Sequence, residues 1–135
     1  MLSALKQSHE ELLKSISELE AILSNDVIEI RLLAPARLQL SKASARRREL
    51  VAAAIQLLSE AASADELRRL DLLRDSNTAI AGATSRHVRE WSTETIVANS
   101  EGYRAASAAM RESMRERIAT ERATLYPLLE RAARR

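Results

Sequence analysis

Met114-Arg115-Glu116-Arg117-Ile118-Ala119-Thr120-Glu121-Arg122-Ala123-Thr124-Leu125-Tyr126-Pro127-Leu128-Leu129 sets charged residues into a helical apolar pattern. Residues three and four apart share a helix face, so Met110, Met114, Arg117, Glu121, Leu125 and Leu128 fall near one stripe. Two charged side chains therefore interrupt an apolar surface. Burying a charge is costly unless a counter-charge, a hydrogen bond or a metal meets it, which makes Arg117 and Glu121 the first candidates for function. The competing reading is that the helix rolls and both heads reach water along their aliphatic stems.

Working outward, the rest of the chain is helical by composition. It has 135 residues with two Gly, two Pro, one Trp, two Tyr, no Phe and no Cys. Strand-forming residues are scarce and helix formers abundant, which predicts an all-α single domain over 1–135 with enough length for its own core. Without Cys there is no disulfide, thiolate metal site or cysteine nucleophile, as suits a cytoplasmic protein. The start, Met1-Leu2-Ser3-Ala4-Leu5-Lys6, enters an amphipathic pattern directly, and no stretch is apolar enough to span a bilayer, so neither secretion nor membrane binding is expected. Lys and Arg exceed Asp and Glu only by 21 to 19, and nothing in that balance demands nucleic acid.

Residues 2–24 give the cleanest helix. Leu5, His9, Leu12, Ile16, Leu19 and Leu23 alternate spacings of four and three, the seam of a helix packed in a bundle. His9 lies in that seam, either as a metal ligand or as a core histidine bonded to a polar neighbour. Ser24-Asn25-Asp26 ends the segment. The second helix starts at Ile28 or Ala34, depending on how Pro35 is accommodated, and runs to Leu58 with Leu33, Leu40, Ser44, Val51, Ile55 and Leu58 inward. Arg47 or Arg48 completes the spacing. Arg46-Arg47-Arg48 fans over most of a helix circumference, so at least one arginine approaches the interior, a reading preferred to a phosphate-binding patch.

Ser63 and Glu66 form the pattern of a capping box opening the third helix. Leu67, Leu70 and Leu73 begin an apolar face that Asn77, Ala81, Gly82 and Thr84 dilute before Val88 and Trp91. Spacing leaves open whether His87 or Val88 faces inward. Thr93 to Gly102 carries a turn or kink, with Asn99 or Ser100 as cap, ahead of the last helix. Four helices of roughly 20 to 30 residues, each about 30 to 45 Å long, joined by short connectors predict an antiparallel up-down-up-down four-helix bundle.

The early histidine in Leu5-Lys6-Gln7-Ser8-His9-Glu10-Glu11-Leu12-Leu13 and the closing Arg117-Ile118, Glu121 and Leu125-Tyr126-Pro127-Leu128-Leu129 resemble bacterial hemerythrin-like domains, the HHE cation-binding domains. Trp91, Ile96 and Tyr103 suit that family too. The resemblance covers nearly the whole chain and is sharp at its two ends. It implies a di-iron centre with ligands from all four helices, and places His9 at the early histidine and Glu121 at the last carboxylate. The other ligand positions depart: Arg117 stands at the fourth-helix histidine, Ser44 and Arg48 stand at the second-helix pair, and Asp75 is the remaining candidate on the third helix. Guanidinium groups repel a cation and occupy its space.

The resulting expectation is a bundle whose metal centre is lost, with no metal and no cofactor. Arg117, Arg48 or both pair with Glu121 in the core, so that Arg117→Ala is strongly destabilising. No nucleophile with its base, glycine-rich phosphate loop or zinc spacing can be assembled, so the chain reads as non-catalytic and not an enzyme, a regulatory or protein-interaction module. Its partner is another protein or a second copy in a homodimer. Ala105, Ala106, Ala108 and Ala109 could admit a neighbouring helix, although packing within the bundle is preferred. Two alternatives remain: a di-iron protein that binds or senses oxygen, nitric oxide or peroxide through His9, Glu121, Asp75 and His87, and a phosphotransfer bundle using His87.

Overall fold

The computed structural model describes all 135 residues as five α-helices: α1 Leu2–Leu23, α2 Ile30–Ser59, α3 Ala64–Glu90, α4 Thr93–Ala98 and α5 Ser100–Ala133. The expectation of four helices needs correction at Thr93–Gly102. There the turn is itself a short helix, capped by Ser92 and ended at Asn99. The Asn99 side chain then accepts from Gly102 N–H to start α5, and a Cβ at Gly102 would stand 2.4 Å from that same side chain. Glycine is required by the cap.

The α1 seam is buried throughout, from Leu5 to Leu23. On α2 the inward line is Leu33, Leu40, Ser44, Arg47, Val51, Ile55 and Leu58, while Pro35 stays on the exposed side of the second turn. Only Leu70 and Leu73 are buried on α3, as the dilution after Leu73 predicts, and His87 is half-buried where Val88 is exposed. On α5, Met114, Ile118, Glu121, Leu125 and Leu128 face inward. Arg117 is displaced from the stripe by its apolar neighbour Ile118, which gains more from burial.

The helices are tied at their ends. Arg104 near the start of α5 donates to the carbonyls of Leu23, Asn25 and Asp26 at 3.2, 2.6 and 3.1 Å, satisfying acceptors that the end of α1 leaves open. His9 of α1 meets residues near the other end of α5, so the two helices run antiparallel. Between them, Glu20 accepts from Arg115 and lies 3.1 Å from Arg111, and these guanidinium groups, Arg115 foremost, hold its carboxyl below the ordinary range. No helix is long and apolar enough to cross a membrane.

The buried apolar side chains form two clusters. One gathers Leu12, Ile16, Leu19, Leu40, Tyr103, Met114 and Ile118 with their neighbours. The other gathers Leu5, Val51, Ile55, Leu70, Leu73, Leu125 and Leu129 with theirs. The helices α1, α2 and α5 each pass from one cluster to the other through a polar residue, while α3 contributes Leu70 and Leu73 to the second cluster only. On α1, His9 lies between Leu5 and Leu12; on α5, Glu121 lies between Ile118 and Leu125.

The start of α3 is fixed by a full capping box. Ser63 Oγ accepts from Glu66 N–H at 3.2 Å, and Glu66 Oε1 accepts from Ser63 N–H at 3.0 Å while Oε2 accepts from Arg131 of α5. The Ser63 N–H and the Arg131 guanidinium hold the Glu66 carboxyl at about 2, against an ordinary 4.5. Because its folded value lies below its unfolded one, the stability it contributes is complete above about pH 4.5 and is lost as pH falls towards 2. Glu66→Gln is therefore expected to lower Tm at pH 7 and to flatten its decline between pH 4.5 and 2, measured by circular dichroism melts across that range.

Candidate functional site

At the level that divides the two apolar clusters, each long helix sends in one polar side chain: His9 from α1, Arg47 from α2, Asn77 from α3 and Glu121 from α5. The layer follows from helical spacing. Each of the four continues the apolar line of its helix at a step of three or four residues, so each is carried into the interior by the burial of its neighbours. His9 and Glu121 are both 0% exposed and Arg47 is 1% exposed. Groups this dry must find their partners in the protein.

They do so in one continuous chain of hydrogen bonds, which leaves the Arg47 Nε without a partner. Arg47 Nη1 donates to Glu121 Oε2 at 2.8 Å, and His9 Nε2 donates to Glu121 Oε1 at 2.8 Å. A carboxylate only accepts, which places a proton on His9 Nε2, while Nδ1 shares a hydrogen bond with the Tyr126 hydroxyl, 2.5 Å away. On the opposite side Arg47 Nη2 donates to Asn77 Oδ1 at 3.1 Å, and Asn77 Nδ2 donates to the Arg48 carbonyl at 3.1 Å. His9 and Arg47 give to Glu121, and Arg47 gives to Asn77.

Burial pushes the Arg47 guanidinium below its ordinary value; the Glu121 charge opposes that shift, while Arg48 and Arg117 act in the same direction as burial. A guanidinium does not deprotonate in a protein, so the outcome is a charged, paired Arg47. Burial likewise raises the Tyr126 phenol, partly offset by Arg122, and keeps it neutral.

The expected ion pair is corrected in its cation. Neither Arg48 nor Arg117 lies within 4 Å of Glu121; the partner is Arg47. Arg48 instead donates to the buried Ser44 Oγ at 2.9 Å, one turn back along α2. Arg117 is half-buried and its Nε has no partner. Asp75 also departs from its expected place, being exposed on α3; the residue of α3 that enters the layer is Asn77. Asn77 stands four residues after Leu73, a signal present in the spacing. Tyr126 carried no such signal, since it lies beside the inward Leu125 and reaches His9 only because α1 and α5 pack together.

Two oxygens and two ring nitrogens would have to serve a metal here, and all four are engaged. Glu121 is filled by His9 and Arg47, and His9 is filled by Glu121 and Tyr126. No set of three or more His, Cys, Asp or Glu side chains converges anywhere in the fold. The residues at this level therefore do not fit a di-iron centre, and Arg47 holds its charge where a cation would sit.

His87 lies away from the layer. It stacks on Tyr103 with ring centroids 6.0 Å apart, its Nε2 is buried without a partner, and burial together with the charge of Arg37 pushes its imidazole below the ordinary value. Compared with known families, curated proteins and solved structures, the chain finds no match in any of the three.

Removing one member of a buried pair strands the other, at about 3 to 5 kcal/mol, whereas an exposed or partly exposed pair contributes under about 1 kcal/mol. Urea unfolding of Arg47→Ala is expected to show a loss of roughly 3 to 5 kcal/mol, and of Arg48→Ala and Arg117→Ala less than about 1 kcal/mol each. Similar losses for all three would show that the charge is shared among the arginines.

Proposed function

We propose that residues 1–135 form one hemerythrin-like domain in which α1, α2, α3 and α5 make an antiparallel up-down-up-down bundle, and that it acts as a non-catalytic regulatory or protein-interaction module in the cytoplasm. In this reading the Tyr126–His9–Glu121–Arg47–Asn77 chain takes the place of the di-iron centre. The partner is another protein or a second copy of the chain. What carries the reading is the engagement of both candidate ligands: His9 and Glu121 bond to each other and to Tyr126 and Arg47, so that both ring nitrogens and both carboxylate oxygens already have a partner.

A buried layer of this kind favours a scaffold over a reaction centre. A nucleophile or general base needs an accessible atom facing a substrate, and His9 and Glu121 are wholly enclosed. A fixed positive charge also replaces what a metal would supply structurally, since Arg47 neutralises Glu121 and joins α2 to α5.

The test is elemental analysis and optical spectroscopy of protein produced in iron-supplemented medium. The expected result is iron far below one atom per chain, no oxo-bridged iron absorption, and a Tm unchanged by a chelator. Two irons per chain with that absorption would overturn the proposal and favour an oxygen, nitric oxide or peroxide sensor.

A further inference from the structure

Beyond Leu73 the third helix buries no residue fully, and its second half leaves a groove against α5. The groove has a volume of about 280 Å³ and is lined by Ile80, Ala83 and Met110, among others. Next to it lies a smaller pocket of about 20 Å³, lined by Arg37, Tyr103 and Leu40 among others. Thr84, His87, Met110 and Met114 line both spaces, so the two adjoin.

Both spaces are mostly apolar, and the smaller adds the head of Arg37 to that of His87. Two buried nitrogen atoms there lack hydrogen-bond partners, Arg37 Nη2 and His87 Nε2. Both heads rest on Tyr103, itself 0% exposed: the Arg37 guanidinium lies 5.5 Å from the ring centroid, and the His87 ring is inclined 29° to it. No carboxylate of the protein lies within 4 Å of Arg37, although Glu90 on the last turn of α3 acts on His87 from outside. The Arg37 Nη2 donor has no acceptor and its guanidinium no counter-charge, which asks for an anionic oxygen; His87 Nε2, on the same ring of Tyr103, donates to that oxygen in the tautomer that carries its proton there. A cavity of this size holds one such atom. The positive charge of Arg37 argues against a cation bound by His87 and the two methionine thioethers.

We infer that the α3–α5 groove binds a small amphipathic carboxylate, such as a medium-chain fatty acid. One carboxylate oxygen accepts from Arg37 and His87 above Tyr103, and the hydrocarbon lies along Ile80, Ala83, Met110 and Met114. The combination is that of a small-molecule site, mostly apolar with a few placed polar groups, at the lower end of the usual range of about 300 to 1,000 Å³. Met side chains suit a ligand of variable shape because they are unbranched and adapt. The site is separate from the buried layer at Glu121, so it stands or falls apart from the function proposed above.

Octanoate is the probe, titrated into the full chain by calorimetry and by the fluorescence of Trp91, whose ring lies 5.5 Å from that of Tyr103. Saturable binding at one site per chain is expected, with octanol binding at least about tenfold more weakly, a difference of 1.4 kcal/mol. Arg37→Gln is expected to weaken octanoate by a similar factor while leaving octanol unchanged, and Ala83→Phe, which fills the groove from the exposed side of α3, to abolish both, with circular dichroism showing each variant folded. Octanoate binding absent from the parent chain, matched by octanol, or unaffected by both substitutions would overturn the assignment. Absence from the parent would leave the smaller pocket as a place for one water alone.

Discussion

A single carboxylate with two donors on it sets the terms for the rest of this fold. Glu121 is removed from water, and there the Arg47 guanidinium meets one of its oxygens and His9 the other. Neither oxygen could be left unmet, since a buried charge without partners costs far more than any one hydrogen bond supplies. The helices that carry these groups are therefore bound to one axial register. A slip of one turn between α2 and α5 would leave both Arg47 and Glu121 unpaired against apolar side chains. Apolar burial supplies the drive to pack, and the polar layer selects among the packings.

Much of this was legible from spacing. The seam of α1, the inward line of α2, the capping box at Ser63 and Glu66 and the weakness of α3 after Leu73 all follow from periods of three and four residues and from cap chemistry, which are local properties. The inward placement of His9 and Glu121 was likewise readable, because their apolar neighbours carry them inside.

What spacing left open was the choice between adjacent residues. Arg47 and Arg48 both continue the line from Leu40 and Ser44, and Arg117 and Ile118 both continue the line from Met114. Rotations of one residue decide each case, and those are set by the sum of side-chain burial along the whole helix: Val51 and Ile55 bring Arg47 inside, and Ile118 excludes Arg117. Asp75 has the chemistry of a ligand, yet the position that completes the line from Leu70 and Leu73 belongs to Asn77. The short helix α4 could not be read from periodicity, since six residues give less than two turns. Tyr126 entered the site through tertiary packing alone.

The central claim is that Arg47 and Glu121 act as one unit inside the core. It is tested most directly by a double-mutant cycle, with Arg47→Met, Glu121→Leu and the double variant unfolded in urea at one pH. The account predicts that the double variant loses less stability than the two singles together, by about 2 kcal/mol or more, because the second substitution relieves the charge stranded by the first. Losses that add to within about 0.5 kcal/mol would contradict it.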